Sequence, residues 1–346
     1  MNRIGATALA VMLGALISAD AGRAAGVEGP SLFWKISAFG NPRALTAGME
    51  EMARRVAEDT DGRFQIKIFY GEQLSGAREN LDGLKLNAFE GAAICEFYHP
   101  GKNPAWTVFS LPFLPLGDPE VNRHVRSRLF EHPAIVADMA QWNAIPYVSG
   151  LLPQFEILGR GKPPLRLEDW KGLRVRAGGG LGDAMERIGA VKMTLPAGET
   201  LTAFERGALD AAAFPFTYAH VAYRIHEVAE WFTTNLAPGS AECGWVLNKQ
   251  AFEALPPQYR DLLMGYRDLV MDVQLQRYRE ADERNLAMFR ERMTPITYTD
   301  AEIARFRELG GKPVWEAWIA ENQDRFDARG LFEAVWALAE EARAGR

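Results

Sequence analysis

An arginine followed by a glycine-rich turn is the feature of this sequence best suited to bind a small anion. Arg176 closes residues 173–176, which predict a strand, and the glycine-rich residues 178–182 then lead into a predicted helix. Ligands of open α/β sheets bind beyond the carboxyl ends of strands, and a helix N-terminus offers unpaired N–H groups. A guanidinium there can hold a carboxylate through two parallel hydrogen bonds. A surface or interdomain salt bridge of Arg176 is the alternative.

Three aromatic residues cluster after another short predicted strand. Phe214, Phe216 and Tyr218 follow residues 210–213. Most aromatic side chains at such places pack in a core, but ligand clefts are themselves largely apolar with a few polar groups. We therefore expect Phe214 to face a cleft, with Phe216 or Tyr218 beside it.

Polar side chains follow a third predicted strand, residues 92–95. They are Glu96, Tyr98 and His99. A position at a strand end favours a cleft, and plain surface exposure is the alternative.

Sequence motifs of catalysis and of metal binding are absent. The five histidines form neither an HExxH motif nor a pair four residues apart, and the two cysteines do not form CxxC. No GxSxG elbow or phosphate-binding loop occurs, and the glycines of residues 178–182 lack the GxGxxG spacing of a dinucleotide site. We expect no catalytic residue, no cofactor and no metal.

Cys95 and Cys243 are the only cysteines. They could pair in an oxidising compartment, but pairing needs close Cα atoms, which a sequence cannot show. Two buried or partly buried free thiols are the favoured interpretation, and a disulfide is the alternative.

The N-terminus indicates export. Arg3 gives a positive start, residues 4–19 carry no charge, and small residues flank possible cleavage sites after Ala21 and Ala24. This is the pattern of a cleavable signal peptide, so a periplasmic location follows. A retained membrane anchor is the alternative, but the apolar run is shorter than the roughly 18–20 residues of a spanning helix. No cysteine follows it to carry a lipid.

The composition excludes a nucleic-acid partner. The formal net charge is −6 and the basic residues are scattered, whereas nucleic-acid binding needs a basic face. The 346 residues suit about two domains. Any anion site must be built locally against the negative net charge.

The chain begins with alternating strands and helices. Residues 32–36 and 64–69 predict strands, and residues 92–95 predict a buried parallel strand. Asn41 and Pro42 predict the start of the intervening helix. This order is typical of an open α/β sheet.

The same order starts again beyond residue 150, which indicates two α/β units. Residues 244–248 then predict a strand that returns to the first unit, and residues 258–292 predict one helix of about 50 Å. A helix of that length exceeds a small domain, so we expect it to bridge the two units. Two more helices are predicted near residues 314–322 and 331–344.

The predicted fold class is α/β: a two-domain periplasmic-binding-protein fold, type II-like, with a long domain-bridging helix and C-terminal helices. The predicted divisions are a signal peptide (1–25), domain I (26–152 plus 243–275), domain II (153–242 plus 276–310) and C-terminal helices (311–346).

With these elements in order, the chain resembles the solute-binding proteins of TRAP transporters, the DctP family. The segments that carry the resemblance are residues 71–74 (GEQL) with Arg78, residues 110–114 (SLPFL), residues 168–176 (EDWKGLRVR) and residues 199–210 (ETLTAFERGALD). The order of the four segments and the spacing of the last two are specific to the family. The resemblance covers nearly all of the chain beyond the predicted signal peptide.

The resemblance implies a periplasmic protein that is not an enzyme. Such proteins bind one small molecule between two domains, close around it and deliver it to an integral membrane TRAP permease that uses an ion gradient. Arg176 matches the family's carboxylate-binding arginine, and Phe214, four residues after Asp210, matches a position that often contacts ligand. A monomer is expected.

Departures from the family pattern narrow the range of ligands that this chain is expected to bind. Members that bind sialic acid carry Gln-Glu-Asn where this chain has Ala212, Ala213 and Phe214, so a sugar acid is disfavoured. Members that bind keto acids hold a metal beside a Glu that Ala213 replaces, which argues against a metal. A second ligand-binding arginine of some members aligns loosely near Glu156, and a carboxylate there would favour a ligand that also donates hydrogen bonds.

The sequence therefore predicts a binding protein for a small organic acid that is apolar, cyclic or aromatic in part. An exported α/β enzyme or ligand sensor on the same scaffold is the alternative, and substrate turnover would distinguish it. The candidate ligand-binding residues are Arg176, Phe214, Glu96, Tyr98, Gln154, Glu156, Phe216, Tyr218, Phe39 and Asn41.

Overall fold

The computed structural model describes residues 26–345, and the predicted signal peptide lies outside the described residues. The described strands are β1 (Leu32–Ser37), β2 (Phe64–Phe69), β3 (Gly91–Cys95), β4 (Ala144–Val148), β5 (Phe155–Gly159), β6 (Arg174–Arg176), β7 (Val191–Met193), β8 (Ala211–Pro215), β9 (Trp231–Thr233), β10 (Cys243–Asn248) and β11 (Thr294–Ile296). The described α-helices are α1 (Ala44–Asp59), α2 (Asn80–Lys85), α3 (Pro119–Leu129), α4 (Pro133–Ala140), α5 (Gly179–Arg187), α6 (Thr200–Glu205), α7 (Tyr218–Ala222), α8 (Lys249–Glu253), α9 (Pro257–Gly265), α10 (Arg267–Arg292), α11 (Asp300–Gly310), α12 (Lys312–Asn322) and α13 (Ala328–Ala344).

Two mixed sheets organise the molecule. The first has the order β2-β1-β3-β10-β4, in which β1, β2 and β3 are parallel and β10 runs antiparallel to both of its neighbours. The second has the order β11-β9-β5-β8-β6-β7. We call the first sheet with the helices packed on it the first lobe, and the second sheet with its helices the second lobe.

The central strands have continuous apolar sequences because both of their faces are buried. Every residue of β3, β5, β8 and β10 is buried, as expected for strands covered on both faces. The edge strand β2 instead alternates, with Phe64 and Ile68 buried and Gln65 and Lys67 exposed. On α1, the predicted apolar face of Leu45, Met49, Met52 and Val56 is buried.

The first helix begins later than predicted. Arg43, and not Asn41, precedes the first helical residue, because the Thr46 hydroxyl oxygen accepts a hydrogen bond from the Arg43 backbone N–H at 3.0 Å. Asn41 and Pro42 therefore lie in the exposed connection that leads from β1 into α1.

The long bridging helix is confirmed, but it is shorter than predicted. The predicted segment divides at Tyr266 into α9 and the 26-residue α10; Gly265, a poor helix former, immediately precedes the break. Helix α10 still spans about 39 Å. It packs against α1 of the first lobe and α7 of the second, where Tyr278 and Tyr218 stack at 4.8 Å.

The cysteines are paired, and the interpretation as free thiols was wrong. Cys95 and Cys243 lie directly opposite each other in the antiparallel ladder of β3 and β10 and form a disulfide. Their sequence separation of 148 positions hides this proximity, because it arises only when β10 returns to the first sheet.

The strands of the first sheet all fall within the residues predicted for domain I, 26–152 and 243–275. The strands of the second sheet all fall within those predicted for domain II, 153–242 and 276–310. The predicted C-terminal helices are present as α12 and α13. None of the helices between residues 26 and 345 combines the length and apolar character that crossing a membrane requires.

Candidate functional site

The alternation of β6 places its two arginines in different environments. Arg174 forms a partly exposed ion pair with Asp210, in which Nη2 lies 2.6 Å from Oδ1, and also donates to the Gly207 carbonyl. Arg176 points to the opposite face and is only 2% exposed. The glycine and aspartate of the segment 199–210 thus hold Arg174, which leaves Arg176 for another role.

Arg176 is a buried cation without a carboxylate partner. Its guanidinium donates to the carbonyls of Leu195 and Ala213 and to the Tyr98 hydroxyl, at 3.2, 2.9 and 3.2 Å. No ion pair of the described residues includes it. A guanidinium carries five N–H donors, so two remain for a ligand. Burial lowers the pKa of Arg176, and nearby tyrosines oppose this effect.

A pocket lies beside Arg176 between the two sheets. Its walls are mostly aromatic and aliphatic, with the disulfide at one side. The residues that line it are Phe39, Arg43, Leu45, Cys95, Phe97, Tyr98, Leu152, Phe155, Arg176, Ala197, Phe214, Pro215, Tyr218, Ala219, Tyr223 and Cys243.

Tyr98 connects the lobes at this pocket. Its hydroxyl oxygen accepts hydrogen bonds from Arg176 and from the Ala197 backbone N–H, the latter at 2.8 Å. Burial raises the pKa of Tyr98 to about 12, so the phenol is neutral near pH 7. It therefore orients the guanidinium as an uncharged acceptor.

Phe214 forms a wall of the pocket, as the sequence predicts. The Arg176 guanidinium carbon lies 4.1 Å from the centre of its ring, and Tyr223 stacks on the ring at 5.4 Å. Tyr218 also lines the pocket, and Phe39 lies opposite, 5.6 Å from Tyr98.

Two of the predicted acidic and aromatic positions point elsewhere. The buried Glu156 carboxylate accepts from Thr233 and from the Ala237 N–H, so it does not line the pocket. Phe216 packs against Phe232 and Phe289 inside the second lobe. Phe216 lies one residue beyond the end of β8, so the alternation of the strand does not set its direction, and it packs inside the second lobe while Phe214 reaches the pocket.

Glu96, Gln154 and Asn41 are also outside the pocket. Glu96 is fully buried and accepts from the Glu242 N–H at 2.9 Å. Gln154 donates to the Leu116 carbonyl, and Asn41 is exposed. Glu96 follows the end of β3 as predicted, but its side chain bonds within the first lobe and does not reach the pocket.

The glycine-rich turn serves packing between the lobes. A Cβ at Gly178 would collide with the Phe97 ring, and one at Gly179, where φ is +52°, would meet the Ser110 side chain. The N-terminus of α5 does not line the pocket. These glycines therefore bring the backbone of the second lobe close to the first lobe and not to the pocket.

Arg43 and Tyr223 are polar residues of the pocket lining that the sequence reasoning missed. Arg43 lies two residues beyond the candidate Asn41 and directly precedes α1, and its charge in this connection was a usable signal. Tyr223 follows α7, and only the packing of the lobes brings it near Arg43. Among residues 26–345, no cluster of His, Cys, Asp or Glu side chains could hold a metal ion.

Two α/β lobes linked by a long helix, with a small pocket between their sheets, define the class of two-lobed solute-binding proteins. Solved structures share this fold. A TRAP solute-binding protein of Desulfovibrio salexigens with bound orotic acid is 23% identical, with a TM-score of 0.78 over 90% of this chain and 98% of that one. A TRAP solute-binding protein of Rhodoferax ferrireducens with copurified benzoate is 19% identical, with a TM-score of 0.78 over 90% and 99%.

The chain belongs to the DctP family: the family model for bacterial extracellular solute-binding proteins, family 7, matches residues 40–322. A monocarboxylate 2-oxoacid-binding periplasmic protein of Nostoc is 29% identical over 74% of this chain and 71% of its own length. The resemblance to TRAP binding proteins is thereby confirmed, and the chain is a TRAP-type solute-binding protein. Proteins of this family are receptors and not enzymes.

Proposed function

We propose that this protein captures a small organic acid in the pocket between its lobes, with the carboxylate on Arg176, and delivers the acid to a TRAP permease in the membrane. The observation that carries the proposal is Arg176 itself. A fully buried cation without a carboxylate is costly, and an acid that supplies one removes this cost.

The walls of the pocket favour an acid with a flat apolar body. Phe214, Tyr98 and Phe39 present rings to the pocket, and burial of apolar ligand surface contributes roughly 25 cal/mol per Å². Benzoate and orotate, the acids bound by the two structural relatives, have this character, and so support the same class here.

The sharpest test compares the two arginines of β6. A thermal-shift screen with benzoate, orotate and pyruvate first finds a binding acid, and titration calorimetry then measures its affinity for Arg176→Ala, Arg176→Lys and Arg174→Ala. Loss of a bidentate pair of charge-assisted bonds should weaken binding by about a hundredfold or more. Lysine should rescue poorly because it lacks the planar fork.

Arg174→Ala is the matched control, since Arg174 lies two residues away and its ion pair is partly exposed. It should bind like the unmodified protein. If both Arg176 variants bind normally while Arg174→Ala does not, the assignment of the anion site is wrong. Turnover of the acid in the same assay would support an enzyme instead.

The periplasmic location, the cleavable signal peptide and the monomeric state belong to the same proposal. The mass of the exported protein should show cleavage after Ala21 or Ala24. Sedimentation with and without the acid should give one subunit in both cases. Retention of residues 1–25 in the membrane fraction would contradict the proposal.

A further inference from the structure

We propose that the pocket has a second anion-binding end, built by Arg43 and Tyr223, and that its ligand is a small ring acid with two carboxylate groups, one for each end. This inference rests on the proposed function, because Arg176 forms the first end.

The contacts around the pocket form a closed circuit with the two arginines on opposite sides. On one side, Arg176 lies 4.1 Å from the Phe214 ring, Phe214 stacks with Tyr223, and Tyr223 lies 5.6 Å from the Arg43 guanidinium carbon. On the other side, Arg43 lies 5.0 Å from the Phe39 ring, Phe39 meets Tyr98, and Tyr98 bonds Arg176. Two rings therefore separate the guanidinium groups along each side.

The second end presents polar atoms that the protein itself does not satisfy. Arg43 Nη1 donates to the carbonyls of Phe39 and Asn41, both at 2.9 Å, which fixes the guanidinium. Within the part of the chain that the structure describes, the buried Arg43 Nη2 and Tyr223 hydroxyl have no hydrogen-bond partner. Such groups are rare and costly in native proteins, and an acceptor on the ligand would satisfy both.

The Arg43 guanidinium and the Tyr223 hydroxyl both lie against Gly40. A Cβ added at Gly40 would lie 2.5 Å from the Tyr223 hydroxyl oxygen and 3.1 Å from Arg43 Nη1. Arg43 comes from the first lobe and Tyr223 from the second. A ligand group held by both would therefore also hold the lobes together.

The charges of the residues that line the pocket favour a carboxylate as the second polar group of the ligand. The residues that line the pocket include two arginines and no Asp or Glu, and no ion pair of the described residues involves Arg43 or Arg176. Two cations in an apolar pocket require compensation. A dianion with its charges at opposite ends of a ring matches both the sign and the arrangement, whereas a monocarboxylate leaves Arg43 uncompensated.

The test compares ring acids that differ by one carboxylate. Titration calorimetry measures the affinities of benzoate, benzene-1,3-dicarboxylate and benzene-1,4-dicarboxylate for the mature protein, after partial unfolding and refolding to remove copurified ligand. We expect one dicarboxylate to bind about tenfold or more tightly than benzoate, the effect of one or two charge-assisted hydrogen bonds.

Two variants remove the second end. Tyr223→Phe deletes only the hydroxyl and keeps the ring on Phe214, and Arg43→Met deletes the charge. Each should weaken binding of the dicarboxylate about tenfold more than it weakens binding of benzoate. Arg54→Met changes an exposed arginine of α1, the helix that Arg43 precedes; it is the control for a general loss of charge and should change neither affinity.

The outcomes separate this inference from the proposed function. If Arg176→Ala abolishes benzoate binding but neither dicarboxylate gains affinity, the acid site stands and the second end is overturned. If Tyr223→Phe, which can be expected to fold, leaves the dicarboxylate advantage intact, the second end is also overturned. If no ring acid binds at all, both proposals fail for this class of ligand.

Discussion

The two arginines of β6 lie in different environments, because Arg174 has a carboxylate within reach and Arg176 does not. Asp210 neutralises Arg174 at the lobe surface, whereas Arg176 is buried among aromatic rings and carbonyls. Strand alternation made this division predictable from the sequence. The burial of Arg176 was not predictable, since it depends on Tyr98 and Phe97 of the other lobe.

Phe214 should contribute to binding through its ring face as well as its volume. Phe214→Leu keeps most of the apolar volume but removes the face on which Arg176 rests, a cation–π contact worth roughly 1–2 kcal/mol in a desolvated place. We expect benzoate affinity to fall about tenfold, measured by calorimetry, with a small change in melting temperature.

The control is Phe216→Leu, because Phe216 packs within the second lobe. It should lower stability and leave affinity unchanged. If Phe214→Leu strongly destabilises the protein while benzoate binds normally, Phe214 is only a core residue.

At the scale of elements, β3 and β10 bring together two features that are remote in sequence. One is the disulfide, and the other is a cluster of three buried polar side chains beside it: Glu96, Glu242 and Arg126. Arg126 pairs with Glu242 at 2.7 Å, with both side chains fully buried, and Glu96 accepts the Glu242 N–H. Each feature yields a prediction about stability.

Removal of the disulfide should destabilise the protein without unfolding it. The bond closes a loop of 148 residues, so Cys95→Ala with Cys243→Ala should lower the free energy of unfolding by about 2–4 kcal/mol in urea titrations. Alkylation of the unmodified protein in denaturant should label no cysteine without reductant and two with it. Labelling of both cysteines before reduction would contradict the pairing.

Glu96 should make stability fall as the pH rises. Burial, and secondarily the charge of Glu242, raise the pKa of Glu96 from 4.5 to about 8, against the effects of Arg126 and backbone N–H groups. Between these values the folded state keeps a proton that the unfolded state has released, so the contribution of Glu96 is present below pH 4.5 and is lost towards pH 8. Burial raises the pKa of Glu156 to about 7, and its effect has the same sign.

Glu96→Gln keeps an acceptor for the Glu242 N–H and removes the titration. Between pH 5 and pH 8.5, its urea-unfolding free energy should fall by roughly 2 kcal/mol less than that of the unmodified protein. Glu308→Gln, at an exposed position, is the control and should follow the unmodified protein. A steeper decline in Glu96→Gln would show that Glu96 is ionised in the folded state.

The elements found from the sequence are those with a pattern of their own. Strands β1, β2, β3 and β10 have apolar runs or alternation over five or six residues. The three-residue strands β9 and β11 are too short to show a periodic pattern, and they form through pairing in the sheet, β9 with β5 and β11 with β9. Likewise, Arg176 was predicted from its strand end, whereas Arg43 and Tyr223 become a site only through contact between the lobes.

At the scale of the whole molecule, the approach of the lobes depends on the absence of a side chain at Gly178. Gly178→Ala would drive a methyl group into Phe97, so we expect the lobes to stay further apart. Benzoate affinity should fall about tenfold or more, and small-angle scattering should show a smaller contraction on addition of benzoate.

Gly101→Ala is the matched control, because a Cβ there meets no atom within 4 Å. It should bind and contract normally. If Gly178→Ala behaves in the same way, contact between Gly178 and Phe97 does not limit closure.

The position of β10 also sets the order in which the newly made chain can fold. Strand β10 lies between β3 and β4, yet all of β5 to β9 precede it in the chain. As the polypeptide emerges during synthesis or translocation, the second sheet can assemble all but its edge strand β11 while the first still lacks its centre. A chain stalled before residue 243 would expose two open strand edges, which favour aggregation. The first sheet, although begun first, therefore lacks its centre until most strands of the second sheet have been made.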